Sequence, residues 1–130
     1  MGVKTYWIND EKTILCAEFA QPWTWDDFQV NSQTMQKEAE SVDHSIVTIF
    51  DLTEAGIIPA SAVSNFRIAA NRRTSNVKRL IFAGGGMFTR TLVEITDKTT
   101  RQAAKMDMLP TFVDSREEAI TLAQQLVQSS

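Results

Sequence analysis

The run Gly84-Gly85-Gly86 is the part of this chain best suited to holding a ligand. It follows the apolar stretch Lys78 to Ala83 and precedes a helical pattern opened by Phe88. Successive backbone N–H groups at such a turn form an anion nest, and the following helix points its positive end at the same place. Thr89 and Arg90 would add a hydroxyl and a cation in that helix's first turn. No Gly-Lys-Ser/Thr follows, so the loop is not of the nucleotide-triphosphate type, and Gly-x-Gly-x-x-Gly is unmatched as well. The competing reading is conformational: three glycines relieve a tight turn.

Asp51 ends the apolar run Ser45 to Phe50, where open α/β sheets place ligands. It suits either a site or a loop held through backbone N–H bonds. Asp26 and Asp27 are neighbours in a helix's first turn, where they complement the dipole but do not face each other as an acid–base pair. His44 is the lone histidine and Cys16 the lone cysteine, so neither a Cys/His metal cluster nor an internal disulfide can form. Cys16 sits in the apolar strand Ile14-Leu15-Cys16-Ala17 and reads as a buried small hydrophobe. No nucleophile, base and orienting group can be assembled from these residues, so an enzyme is not expected, and no cofactor is implied.

The elements that position these residues are legible from period and punctuation. Val3 to Ile8 and Thr13 to Phe19 read as strands joined by a polar turn, hence an antiparallel hairpin. Thr24 caps a first helix, with Asp27 three residues on. Trp25, Phe28, Ser32, Met35, Ala39 and Val42 form its inner stripe. Trp23 and Trp25 read as core or staple, or as an aromatic lid over an apolar pocket. Ser45 to Phe50 is apolar enough to be covered on both faces. Pro59 is placed to open a second helix, with Val63, Phe66 and Ala70 inward. A fourth strand spans Lys78 to Ala83, a third helix runs from about Phe88 to Met106, and a fifth strand is Thr111 to Val113. Ser115 and Glu118 form a capping box for a last helix. The order ββαβαβαβα predicts one α/β domain with a mixed five-stranded sheet, its later strands parallel, and about four helices.

Apolar content of 43% and charged content of 22% over 130 residues suit one globular domain with a core of its own. No signal peptide or transmembrane segment is read, which with a single cysteine points to the cytoplasm. The net charge is −3, yet residues 60–105 hold nine basic side chains against two acidic ones. If that segment gathers on one side, the surface carries a dipole that can steer a partner. The acidic balance disfavours nucleic acid.

This order, with Asp51-Leu52-Thr53 closing strand three, resembles the STAS domain of anti-anti-sigma-factor type. It is still more similar to the short bacterial proteins grouped as STAS-like or SpoIIAA-like. The similarity rests on Tyr6-Trp7 with the turn Asn9-Asp10-Glu11, on Trp23-Thr24-Trp25-Asp26-Asp27, and on Phe112-Val113-Asp114-Ser115-Arg116-Glu117-Glu118-Ala119. It implies a non-catalytic interaction module, often a phosphorylation-controlled switch. The switch serine of such domains opens helix two directly after an aspartate. Here Pro59 stands at the aspartate and Ala60 at the serine, with Ser61 one place on and Ser64 one turn on.

The expected function is therefore binding of a protein partner, or of a second copy, through Pro59, Ser61, Ser64 and the Gly84–Arg90 loop. The alternative is a small phosphorylated, apolar or lipid-like ligand at the same edge. An interaction module predicts an exposed apolar patch beside helix two. A ligand binder predicts a concave, partly apolar pocket near Gly84–Arg90 or Trp25.

Overall fold

A computed structural model describes residues 2–84, 86 and 110–129. The five strands are β1 (Val3–Trp7), β2 (Ile14–Ala20), β3 (Ile46–Glu54), β4 (Val77–Ala83) and β5 (Pro110–Val113). The described helices are α1 (Trp25–Glu40), α2 (Ala62–Asn71) and α3 (Arg116–Ser129). The strands form one sheet in the order β1-β2-β3-β4-β5. β1 runs antiparallel to β2, and every later pairing is parallel. The mixed α/β sheet expected from the sequence is present. The helix expected over Phe88 to Met106 lies outside the described residues, as do Gly85, Thr89 and Arg90.

Alternation along each strand sorts the side chains onto two faces. Leu15, Ala17 and Phe19 of β2 meet α1 and α2 on one face, together with Ile46, Leu52 and Phe82. Ile14, Cys16, Val47, Ile49 and Ile81 meet Ala119 and Ala123 of α3 on the other. β3 lies mid-sheet, and Ile46 to Ile49 are all buried, as a run apolar at nearly every position requires.

Two boundaries differ from expectation by more than one residue. β3 continues four residues past Phe50, because Asp51 pairs with Ala83 and Glu54 with Ala20 on its two flanks. Helix two begins at Ala62 rather than Pro59. Ser61, at its N-cap, takes a left-handed backbone (φ 74°, ψ 24°) that cannot continue a right-handed helix from Pro59, and its side chain makes no capping bond. Pro59 thus lies in the approach to α2, and Ser64 is in its first turn.

α1 starts where its capping residues dictate. The Asp27 N–H donates to Thr24 Oγ1 at 3.1 Å, and the Thr24 N–H donates to Asp27 Oδ2 at 3.0 Å. At α3 the Glu118 N–H donates to Ser115 Oγ at 3.1 Å. Among the described residues no helix is long and apolar enough to cross a membrane.

Candidate functional site

The α1/α2 face does not close tightly on the sheet. Phe28 and Met35 of α1 are large, whereas α2 presents Ala69 and Ala70. The mismatch leaves a cavity of about 110 Å³ between the helices and the sheet. Leu15, Thr48, Phe50, Leu52, Leu80 and Phe82 form its floor. Phe50 and Phe82 stack at 5.0 Å and Phe82 and Phe112 at 5.5 Å, so the floor is part of an aromatic row crossing three strands in register. Trp25, Phe28 and Phe66 pack edge-to-face at 5.5 to 5.7 Å at one end. Such contacts favour a fixed wall over a fluid one.

Polar bonds tie α1 to α2 and to the loop that leads into it over this space. Trp25 Nε1 donates to the Ala60 carbonyl at 2.6 Å, and Gln29 Nε2 donates to Asn65 Oδ1 at 2.9 Å. Arg72 Nη1 donates to Gln29 Oε1 and Ser32 Oγ, both at 2.6 Å. Arg72, Arg73 and Thr74 form the rim, and the same residues line an adjoining open polar groove with Asn71, Ser75 and Asn76.

The opposite face carries a cluster of ionisable side chains at the ends of β2 and β3. Arg116, in the first turn of α3, donates from Nη1 to Asp51 Oδ2 at 3.2 Å and to Glu18 Oε1 at 3.4 Å. Its guanidinium lies over the Tyr6 ring, 5.5 Å from the centroid, and 3.7 Å from Cys16 Sγ. Tyr6 donates its hydroxyl to Glu18 at 2.7 Å. Burial, and then this bond to Glu18, push the Tyr6 hydroxyl far above the usual phenol range. Burial also pushes the Cys16 thiol up, against smaller opposing pulls from Tyr6 and Arg116. Burial opposes the Arg116 charge, but hydrogen bonds to Asp51 and Tyr6 outweigh it and raise its pKa. At neutral pH the phenol and the thiol therefore stay protonated, which makes both poor nucleophiles.

The structure separates the residues singled out from sequence. Asp51 is buried and fully engaged: Oδ1 accepts from the Thr53 N–H at 3.1 Å and from Thr53 Oγ1 at 2.6 Å, and Oδ2 takes Arg116. Gly84 has φ +76°, and a Cβ there would meet Thr53 Cα at 2.9 Å, so close backbone approach requires glycine. Gly86 also has a positive φ. Ser61 and Ser64 are exposed. His44 is exposed, with Nε2 2.9 Å from the Lys12 carbonyl. Trp23 is buried and donates Nε1 to the Ala55 carbonyl at 2.8 Å, which fits a core role. Arg72 and Arg116 were not picked out from sequence. Glu18 and Asp51, acidic and on one face of otherwise apolar strands, were the signal for a basic partner such as Arg116. Nothing in the sequence marked Arg72.

Comparison with known protein families, curated proteins and solved structures found no match for this chain.

Proposed function

We propose that this chain is a non-catalytic, STAS-like binding domain whose cavity between α1, α2 and the sheet takes a small apolar ligand. The observation that carries the reading is the cavity itself: about 110 Å³, walled by Leu, Phe, Met and Ala side chains and beside Phe28 and Phe66. It is somewhat smaller than a cavity of ~150 Å³ that admits benzene, but it opens at the Arg72–Thr74 rim, so a single ring or a short alkyl chain can enter with part of it left outside. Binding in a largely apolar cleft needs no reactive group. The ionisable cluster around Arg116 is satisfied within itself, which favours a structural role over chemistry.

A thermal unfolding series with toluene tests this. At ten times its dissociation constant, toluene should stabilise the native protein by about 1.4 kcal/mol. Ala69→Leu fills the cavity from α2 and should abolish that stabilisation while keeping the fold. An unmoved transition in the native protein, or an undiminished shift in Ala69→Leu, would defeat the proposal.

A second reading, docking of a protein partner or a second copy, draws on Ile57. This side chain is 89% exposed in the loop between β3 and α2, beside Pro59, Ser61 and Ser64. Contiguous apolar patches mark interaction surfaces, whereas a single exposed side chain is common, so this reading ranks second.

A further inference from the structure

We propose that the ligand of this cavity is a small anionic amphiphile, a monocarboxylate whose apolar body enters between α1 and α2 and whose carboxylate meets Arg72. This rests on the cavity reading above and adds the chemistry of the headgroup.

Three observations support it. The first is position: Arg72 follows the last residue of α2 and lines both the apolar cavity and the polar groove that adjoins it. A ligand entering from the groove crosses from polar to apolar surroundings at this residue. The second is charge. Arg72 is partly buried, and it donates to Gln29 Oε1, the Gln29 carbonyl and Ser32 Oγ, all of them neutral. Among the described residues no carboxylate pairs with it. The third is preorganisation. Two bonds of 2.6 Å fix the guanidinium against α1, leaving less side-chain freedom to lose on binding. Arg73 lines the same rim.

The groove also decides between anions. Glu40 and Asp43 line it and are both exposed. A phosphate monoester brings about −1.5 to −2 charges towards those carboxylates, whereas a carboxylate brings one.

The test is a titration of the full chain followed by NMR at pH 7 with hexanoate, hexanamide and hexyl phosphate. Hexanamide keeps the shape of hexanoate and removes its charge. Hexanoate should bind at least about tenfold more tightly than hexanamide, a difference of ~1.4 kcal/mol. That ratio should shrink with added salt and fall to about one in Arg72→Gln, with hexanamide affinity retained. Arg72→Gln keeps a hydrogen-bonding head beside Gln29 and Ser32, and the salt series on the native chain reads the same charge without any substitution. Equal affinity for hexanoate and hexanamide in the native chain would overturn the headgroup assignment and leave the cavity reading standing. Tighter binding of hexyl phosphate would overturn the choice of carboxylate. Binding of none of the three would overturn both proposals.

Discussion

Phe28→Ala should lower the unfolding free energy by about 3–5 kcal/mol, the range for deleting a well-packed aromatic ring from a core. The ring is 2% exposed and contacts Phe19, Trp25 and Phe66 with centroids 5.5 to 5.7 Å away. Each of those partners belongs to a different element, β2, the start of α1, and α2, so no single side chain can move in to replace it. Urea denaturation of native and variant protein measures the loss. The substitution also enlarges the cavity, because Phe28 lines it. Toluene should therefore recover more stability in Phe28→Ala than it adds to the native protein. A loss below about 1 kcal/mol would mean that α1 collapses onto the sheet without strain, contrary to close packing at this seam.

Arg116→Ala should cost about 3 kcal/mol, the low end for removing one partner of a buried ion pair. The Asp51 side chain is 5% exposed and would lose its only cationic neighbour among the described residues. The Arg116 side chain is 31% exposed, which is why the low end applies. The cost is one of an orphaned carboxylate, so the double variant Arg116→Ala/Asp51→Ala should lose less than the sum of the two single changes, with a coupling of roughly 1–2 kcal/mol. Strict additivity in urea denaturation would show that the pair contributes nothing as a pair. Because α3 covers the face opposite the cavity, toluene binding should survive Arg116→Ala under conditions where the variant is folded.

What was legible in the sequence was mostly local. The Thr24–Asp27 and Ser115–Glu118 caps act over three residues, and both helices begin where those residues place them. The mixed sheet followed from one polar turn and a strand apolar on both faces. Features set by distant partners were less legible. β3 runs on through Glu54 because Ala20 and Ala83 pair with its end from two other strands. The start of α2 moved from Pro59 to Ala62 because the Ser61 backbone turns left-handed, a choice that proline's own preference does not report. Arg116 and Asp51 are 65 residues apart, so their pairing needed the fold. The cavity was least legible of all. Ala70 read as an inner-face residue of helix two and Ala69 was not marked, and neither signals a cavity until Phe28, Met35 and the aromatic floor are set opposite them.

The measurement that bears most directly on the cavity is diffraction from a crystal pressurised with xenon, a probe that enters dry apolar cavities and little else. A xenon peak enclosed by Phe28, Phe66, Ala69 and Phe82 would establish an accessible apolar site between the helices and the sheet. A crystal that takes up xenon elsewhere and leaves this space empty would contradict a ligand-binding role for it.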